Sequence, residues 1–246
     1  MNPNSLARSK SSPNLRFLPP HAPGMRIGLF GGTFDPPHLA HLGATLLALK
    51  RLKLDRVWWL VTPGNPLKNT KNLAPLAKRI AASRALTHHP RIDITGIEAI
   101  IKTKFTYDTI CWLLARFPRV RFVWIMGADN LRHFHRWQKW REIAKLVPIV
   151  VIDRLGPSLY AAASPAGQAL NRFRLRELDA ATLPNRRAPA WTFLHGLKSP
   201  LSSTALRALR GNGKDEGKGK RTPPVSKTAR KGGKKSGNKS GKQRAK

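Results

Sequence analysis

The 246-residue sequence contains one cysteine, no long apolar run and few acidic residues. Because Cys111 is the only thiol, the chain cannot form an internal disulfide or a zinc site made of several cysteines. Cys111 lies in the apolar stretch 109–114, so we expect a small buried residue there rather than a catalytic thiol. No run approaches the roughly 20 apolar residues that cross a bilayer, and no secretory pattern is present. These absences favour a soluble, cytoplasmic protein.

The shortage of acidic residues leaves a large positive charge. Against 46 Lys and Arg there are 12 Asp and Glu, for a formal net charge of +34. Residues 211–246 alone hold 13 Lys and Arg with two acidic residues, a net charge of +11. Such a field attracts polyanions, both nucleotides and nucleic acids, and charge alone does not choose between them.

Composition divides the chain into three parts. Residues 211–246 consist mainly of Gly, Lys, Ser and Pro, and we expect this tail to be disordered. Residues 1–24 are rich in Asn, Ser, Pro and Arg and are expected to be a disordered extension. One folded domain is therefore predicted over residues 25–210.

Within this domain, apolar segments typical of strands alternate with segments of helical periodicity. The predicted strands are Arg26–Phe30, Arg56–Val61, Ile92–Thr95, Val120–Met126, Pro148–Asp153 and Trp191–His195. The predicted helices are Leu39–Leu52, Ala74–His88, Tyr107–Arg116, Trp137–Leu146 and Ser203–Leu209. This alternation predicts an α/β fold in which a parallel sheet is covered by helices on both faces. Ligands of such sheets bind at the carboxyl ends of the strands.

The most informative segment reads G-G-T-F-D-P-P-H-L-A-H, over residues 31–41, between the first strand and the first helix. Gly31 and Gly32 allow a sharp turn and a close approach of the backbone to a ligand. The helix start then presents N–H groups to an anion, and His38 and His41 lie on one face of that helix. The pair alone would also fit two surface histidines or two metal ligands, but the glycine turn before it favours phosphate binding. Neither G-x-G-x-x-G nor a Walker A motif is present.

A second candidate site for anions is the segment L-S-S-T-A-L-R, which starts at residue 201. The hydroxyl groups of Ser202, Ser203 and Thr204 can cap a helix, and the N–H groups at its start can bind a phosphate. Arg207 lies one turn further and can reach the same anion. Alone the segment is weak, because most Ser and Thr caps serve only the stability of the helix.

Together these two segments resemble the signatures of the nucleotidyltransferases that carry an H-x-G-H motif, in their bacterial nicotinate-nucleotide adenylyltransferase branch. The glycine of that motif is Ala40 here. The resemblance implies a Rossmann-like fold of the nucleotidyltransferase type and transfer of the adenylyl group of ATP to nicotinate mononucleotide, giving deamido-NAD and pyrophosphate. It implies catalytic roles for His38, His41 and Arg207. The ATP-binding residues that it implies are Gly31, Gly32, Thr33, Phe34, His38, His41, Gly127, Asp129, Ser202, Ser203, Thr204 and Arg207.

The middle of the chain carries weaker matches. Gly127 and Asp129, in M-G-A-D-N, resemble the segment of this family that lies beside the adenosine, although an Asp after a strand is equally often a helix cap. The resemblance assigns Thr106, Tyr107 and Trp137 to nicotinate mononucleotide, with backbone N–H groups meeting its carboxylate. Four further tryptophans, Trp58, Trp59, Trp112 and Trp124, are expected in the core. Lys68 resembles a basic substrate-binding residue, but its P-L-K sequence departs from the family pattern, and a solvated surface lysine fits equally.

The resemblance also implies a magnesium ion bound with ATP, held mainly by phosphate oxygens and water. Three alternatives stay open from the sequence. The acceptor of this superfamily can instead be nicotinamide mononucleotide or phosphopantetheine. The third alternative is a basic nucleic-acid-binding protein, and weak non-specific RNA contact through the tail is compatible with the enzyme as well.

Overall fold

The computed structural model describes residues 18–64, 73–153 and 159–196. Five predicted site residues lie outside the described residues: Lys68, Ser202, Ser203, Thr204 and Arg207. The predicted helix over residues 203–209 and the basic tail over residues 211–246 lie outside them as well.

In the described part of the chain, seven strands form one sheet in the order β3-β2-β1-β4-β5-β7-β6, and every neighbouring pair is parallel. The strands are β1 (Arg26–Gly32), β2 (Arg56–Val61), β3 (Ile92–Thr95), β4 (Arg121–Gly127), β5 (Ile149–Ile152), β6 (Arg174–Leu175) and β7 (Trp191–Leu194). The chain builds β1 to β3 outward in one direction and then returns to place β4 on the other side of β1. The strand order therefore reverses between β1 and β4, and the carboxyl ends of these two strands border a crevice.

Helices connect the strands. They are α1 (Leu39–Arg51), α2 (Leu76–Leu86), α3 (Ile97–Ile100), α4 (Thr106–Arg116), α5 (Ala128–His133), α6 (Trp140–Leu146), α7 (Leu159–Ala162) and α8 (Pro165–Ala169). Short 3-10 segments span Phe134–Arg136, Asn171–Phe173 and Glu177–Asn185. None of the helices described is long and apolar enough to span a membrane.

Both faces of the sheet are buried, because alternate residues of each strand enter different apolar clusters. Trp58 packs on the face covered by α4, α5, α6 and α8, whereas its neighbour Trp59 packs on the face covered by α1, α2 and the segment Glu177–Asn185. The two tryptophans are fully buried. The predicted α/β fold, a Rossmann-like parallel sheet with helices on both faces, is thus confirmed.

Most element bounds agree with the sequence prediction, and the differences have local causes. The helix predicted from Trp137 begins instead at Trp140, because Lys139 adopts a left-handed conformation with φ of 53°. Helices α3, α5, α7 and α8 and strand β6 were not predicted. The expectation that Cys111 is buried is wrong, since this residue is only partly covered on α4.

The segment before β1 also contacts the domain. The ring centroid of His21 lies 4.2 Å from that of Phe117, and Pro19 is buried. The Gly24 N–H donates to the carbonyl of Arg119 at 2.7 Å. The sequence prediction for residues 1–24 did not include this contact of residues 18–24 with the folded domain.

Candidate active site

The turn after β1 is shaped by a tryptophan of the neighbouring strand. A Cβ atom on Gly31 would lie 2.7 Å from Cη2 of Trp124, a distance that would force a shift. A Cβ atom on Gly32 would lie 3.2 Å from the ring of Phe34. Gly31 was predicted for its turn and for close approach to a ligand, and the structure adds that it makes room for the indole ring of Trp124 in the core.

Phe34 lies within this turn with its backbone in the left-handed region, at φ of 47°. Its ring is fully buried and stacks on Trp59, with 4.6 Å between centroids and 10° between planes. The side chain of this predicted ATP-binding residue therefore belongs to the core. A ligand in the crevice would meet the backbone of Phe34 and not its ring.

The two histidines of the predicted site stand side by side at the start of α1. His38 precedes the helix in an extended conformation, and His41 occupies its first turn. Their ring centroids lie 3.8 Å apart, and both residues are largely buried. The His38 N–H donates to Nδ1 of His41 at 3.3 Å. Because Nδ1 accepts this hydrogen bond, the neutral ring of His41 carries its proton on Nε2 and can donate from there.

The first turn of α1 is fixed to the sheet below it. The Thr45 hydroxyl donates to the carbonyl of His41 at 2.8 Å, and Nε1 of Trp59 donates to the Thr45 hydroxyl at 2.8 Å. The ring of Phe34 lies 4.9 Å from that of His41. These contacts hold the His41 ring in one position relative to β1 and β2. Ala40, which replaces the glycine of the family motif, is buried beside it.

Sequence reasoning missed Arg79, a buried arginine of α2. Its guanidinium donates to the carbonyls of Thr33 and Thr62, each at 2.7 Å. Its Nε donates to the carbonyl of Ala74 at 2.7 Å. Burial lowers the pKa of Arg79, and the neighbouring Asp35 partly offsets that effect. Arg79 therefore joins the turn after β1 to the turn after β2. One arginine among 46 basic residues carries no sequence signal that could have found it.

Gly127 and Asp129 lie at the carboxyl end of β4, next to β1 in the sheet. Gly127 precedes α5 in an extended conformation, and as a glycine it has no side chain to cap the helix. Asp129 occupies the first turn of α5, where a carboxylate interacts favourably with the helix dipole. Asp129 is exposed and lies two residues after the end of β4.

Two predicted substrate-binding residues, Trp137 and Tyr107, pack against neighbouring side chains. Trp137 is half-buried, and its ring packs edge-on against Trp124 at 6.2 Å and against Phe134 at 5.3 Å between centroids. Trp124, which lies under Gly31, thus connects the turn after β1 to Trp137. The Nζ atom of Lys139 lies 4.4 Å from the ring centroid of Tyr107. Trp58, Trp59 and Trp124 are fully buried as predicted, whereas Trp112 is only half-buried.

Thr106 and Tyr107 begin α4 and lie in its first turn. The N–H groups of a first turn have no partner within their own helix, so they are available in principle to an anion. The Thr109 N–H donates to the carbonyl of Phe105 at 3.2 Å, which closes this turn.

The start of α4 is supported by a buried carboxyl group that sequence reasoning also missed. Glu98 of α3 is 8% exposed, and its Oε1 accepts from the Thr109 hydroxyl at 3.2 Å. Burial raises the pKa of Glu98, and the neighbouring hydroxyl groups of Thr62 and Thr109 oppose that effect.

The structure places two groups of the proposed residues after neighbouring strands of the sheet. Gly31–Phe34, His38 and His41 end or follow β1, and Gly127 and Asp129 end or follow β4. Thr106 and Tyr107 begin α4, and Trp137 follows the 3-10 segment Phe134–Arg136. Lys68 and the segment Ser202–Arg207 lie outside the described residues. Within the described ranges no group of three or more His, Cys, Asp or Glu side chains could hold a metal ion.

Comparison with known proteins agrees with this geometry. The sequence profile of the family described as cytidylyltransferase-like matches residues 29–209. A probable nicotinate-nucleotide adenylyltransferase of Bradyrhizobium sp. (strain ORS 278) is 58% identical over 190 residues, which are 77% of this chain and 99% of the relative. A protein of the same name from Methylorubrum extorquens (strain PA1) is 57% identical over 183 residues, covering 74% of this chain and 99% of the relative.

A solved structure is similar as well. The nicotinic acid mononucleotide adenylyltransferase of Plasmodium falciparum, in complex with NaAD, superposes with a TM-score of 0.54 and 16% sequence identity. The match covers 75% of this chain and 83% of that chain. At this identity the likeness shows the fold alone.

Proposed function

The chain belongs to the cytidylyltransferase-like family, among the nicotinate-nucleotide adenylyltransferases, and from this premise we propose how its residues perform the reaction. The protein is a nucleotidyltransferase of NAD biosynthesis that transfers the adenylyl group of ATP to nicotinate mononucleotide, releasing deamido-NAD and pyrophosphate. The observation that supports the proposal best is the packed pair of His38 and His41 at the start of α1, at the crevice between β1 and β4.

In the proposed reaction the 5′-phosphate of nicotinate mononucleotide attacks the α-phosphorus of ATP in line. A new P–O bond forms, and the bond from the α-phosphorus to the bridging oxygen breaks, so that pyrophosphate leaves. The attacking phosphate is already anionic at neutral pH and needs no strong base. Catalysis therefore depends on positioning and on stabilising charge. Nε2–H of His41 donates to the α-phosphate as its charge develops, and His38 binds a neighbouring phosphate oxygen.

The remaining contacts with ATP follow from the positions of the elements. The turn Gly31–Phe34 offers its backbone to the phosphates, and Gly127 and Asp129 face the adenosine. Ser202, Ser203, Thr204 and Arg207 would hold the β- and γ-phosphates. Two observations support these phosphate contacts. One is the sequence resemblance, and the other is that strand β7, which is parallel to β5, ends shortly before these residues along the chain.

The magnesium ion belongs to the same proposal. Magnesium prefers oxygen ligands and commonly takes them from phosphates and water. We therefore propose that the ion arrives with ATP and that the turn Gly31–Phe34 binds the phosphates that carry it. When bound, the ion supplies positive charge to the triphosphate. The protein's own contribution is to orient that triphosphate.

For the acceptor, we assign the pyridine ring to Trp137, whose half-buried ring can stack on it. The N–H groups of Thr106 and Tyr107, at the start of α4, would donate to the nicotinate carboxylate. Lys68 would bind its phosphate. We place the protein in the cytoplasm, and we propose that the basic tail adds weak non-specific contacts with RNA.

The test is an assay with purified protein, ATP and Mg²⁺, in which deamido-NAD is separated by chromatography and pyrophosphate is measured enzymatically. We expect stoichiometric formation of both products with nicotinate mononucleotide. With nicotinamide mononucleotide or phosphopantetheine, kcat/KM should be lower by about tenfold or more, because the N–H donors of Thr106 and Tyr107 would lose their carboxylate partner. Equal or higher kcat/KM with either alternative acceptor would overturn the assignment of substrate.

A further inference from the structure

Arginines mark the amino ends of the strands. Strands β1, β2, β4 and β6 each begin with an arginine, and Arg91 directly precedes β3. Because all neighbouring strands are parallel, these five arginines lie along one edge of the sheet, which we call the amino edge. The amino edge is opposite the carboxyl ends of the strands, where the catalytic residues are proposed. The proposed reaction therefore does not use it.

Most acidic residues of the described chain lie at the other end of the sheet. Five of them follow the carboxyl end of a strand within three residues: Asp35, Glu98, Asp129, Asp153 and Glu177. Carboxylates are thus concentrated at the end of the sheet that carries the crevice. This distribution leaves positive charge in excess at the amino edge.

The carboxylates that do lie at the amino edge are already paired. Arg26 forms an ion pair with Asp55 at 2.7 Å, and Arg56 forms one with Asp93 at 2.7 Å. Arg26, and more weakly Arg91, lower the pKa of Asp55, so this one carboxylate serves two guanidinium groups. The remaining cations of the amino edge therefore gain little compensation from these two acidic residues.

Three exposed arginines carry the excess charge: Arg91, Arg119 in the turn before β4, and Arg121 at the start of β4. The guanidinium of Arg121 donates to the amide oxygen of Asn185 at 2.5 Å. The guanidinium of Arg91 donates to the carbonyl of Leu54 at 3.4 Å. Both acceptors are neutral, so these hydrogen bonds orient the side chains and leave their charge uncompensated.

An exposed aromatic ring lies beside this charge. The ring of His21 is 4.2 Å from that of Phe117, and its Nδ1 is 2.9 Å from the carbonyl of Pro19. The Gly24 N–H donates to the carbonyl of Arg119, which holds the segment of His21 against the turn before β4. His21 nevertheless stays exposed. Bases stack on exposed aromatic side chains while cations bind the phosphates, so this combination is typical of surfaces for single-stranded nucleic acid.

An anionic membrane is the other large polyanion that such charge could attract. Binding to a membrane surface also uses exposed apolar side chains that enter the headgroup region. The exposed large apolar residues of the described chain lie on α1 or follow the carboxyl ends of strands: Leu39, Leu46, Ile100, Tyr160 and Leu178. None of these begins or directly precedes a strand, so the amino edge fits a nucleic acid better.

We propose that the amino edge binds single-stranded RNA: Arg91, Arg119 and Arg121 pair with phosphates of its backbone, and His21 stacks on a base. Two strands separate β3 from β4, so the arginines extend over about 14 Å, enough for several phosphates of one strand. The planar guanidinium group suits this role, because it can bind a phosphate through two N–H groups. RNA is the single-stranded polyanion of the cytoplasm, where we place the protein. The proposal does not depend on the adenylyl-transfer reaction.

The main test is the binding of labelled polyuridine to the full-length protein, measured by fluorescence anisotropy at several salt concentrations. The variant combines Arg91→Gln, Arg119→Gln and Arg121→Gln. Its slope of log K against log salt should be shallower by about 1 to 2, because each lost contact with a single strand contributes about 0.7. Its affinity at about 0.1 M salt should fall by about tenfold or more.

The matched control removes the same charge from another part of the surface. It combines Lys78→Gln, Lys102→Gln and Arg141→Gln, three exposed residues that do not lie at the start of a strand. Its slope should change by less than about 0.5. An equal change in the two variants would mean that only the total charge matters, and it would overturn the proposal.

A variant that conserves charge separates binding from folding. It combines Arg91→Lys, Arg119→Lys and Arg121→Lys, and its slope should stay within about 0.5 of wild type, because lysine also neutralises a phosphate. A slope as shallow as that of the glutamine variant would attribute the loss to a disturbed fold. The proposal would then be wrong.

Cross-linking locates the RNA on the chain. Polyuridine that contains 4-thiouridine is irradiated with the full-length protein, and mass spectrometry identifies the linked residues. We expect cross-links at His21 and within residues 117–121. Cross-links confined to residues 211–246 would assign RNA binding to the tail alone and would overturn the proposal.

Vesicles of phosphatidylglycerol and phosphatidylcholine test the membrane alternative. Wild type and the glutamine variant should bind these vesicles with affinities within about threefold of each other. A loss of vesicle binding in the variant as large as its loss of polyuridine binding would assign the amino edge to a membrane surface, against the proposal.

Discussion

At the scale of single residues, His41 is the group whose loss should affect the chemical step most. We predict that His41→Ala lowers kcat by more than about tenfold, and by up to about a hundredfold, because it removes a donor to the charge that develops on the α-phosphate. The KM for ATP should rise less. Steady-state kinetics on the purified variant measure both values. The control is His88→Ala, an exposed histidine that follows α2 on the way to the amino end of β3, which should leave kcat unchanged. A fall in kcat of less than tenfold in a folded His41→Ala protein would refute the catalytic role.

Gly31 offers a steric test of the same turn. We predict that Gly31→Ala destabilises the protein by about 1–3 kcal/mol and lowers kcat/KM, because the new methyl group would lie 2.7 Å from the ring of Trp124. Adding Trp124→Phe, which replaces the two fused rings of the indole with one smaller ring, should recover part of the loss. Chemical denaturation of the two single variants and the double variant measures the coupling. If the two effects simply add, the contact between Gly31 and Trp124 is not the reason for glycine at this position.

Single residues also show the limit of the sequence. The glycines and histidines of 31–41 could be found because they form a short motif in a strand–turn–helix context. Arg79 and Glu98 could not be found, because their roles depend on partners in other elements, such as Thr33 for Arg79 and Thr109 for Glu98. One arginine in a basic chain and one glutamate in an apolar segment have no local signature. Only the folded chain reveals that both are buried and hydrogen-bonded.

At the scale of elements, Arg79 holds the turns after β1 and β2 together from helix α2. We predict that Arg79→Met destabilises the protein by about 3 kcal/mol and raises the KM for ATP, since the carbonyls of Thr33, Thr62 and Ala74 lose their buried donor. Arg84→Met is the matched control on the same helix, because Arg84 is half-buried and its hydrogen bond to the carbonyl of Ile94 is longer, at 3.4 Å. Urea denaturation should show a loss below about 1 kcal/mol for the control. Similar losses for the two variants would contradict the bracing role of Arg79.

Strands were easier to predict than helices in this chain. The bounds of β2 and β3 agree with the prediction, because apolar runs between turn residues are distinctive. The helix predicted from Trp137 begins later, at Trp140, after the left-handed residue Lys139. The six residues of α5 are too few to show a helical period. The error matters for the site, since Trp137 lies between two short helical segments and not within a helix. That position leaves its ring half-buried beside Trp124 and Phe134.

At the scale of the whole molecule, the alternation of strands and helices predicted the parallel sheet but not the order of its strands. The order β3-β2-β1-β4-β5-β7-β6 is set by tertiary contacts between strands, which leave no local pattern. That order places the reversal between β1 and β4 and therefore brings Gly31 and Gly127 to the same crevice. The motif matches indicated that these glycines serve one nucleotide. Their proximity follows from the topology.

The distribution of charge over the whole chain leads to a prediction about the tail. Residues 211–246 carry +11 of the net charge of +34 and include none of the proposed site residues. A chain ending at Arg210 should keep kcat and both KM values within about twofold, because no proposed substrate contact lies beyond Arg207. Its affinity for polyuridine RNA should fall, and the dependence of log K on log salt should become shallower, since fewer phosphates are neutralised. Fluorescence anisotropy at several salt concentrations measures this change. Loss of adenylyl transfer would make the tail part of the enzyme's site, and unchanged RNA affinity would assign RNA contact to the +23 carried by residues 1–210.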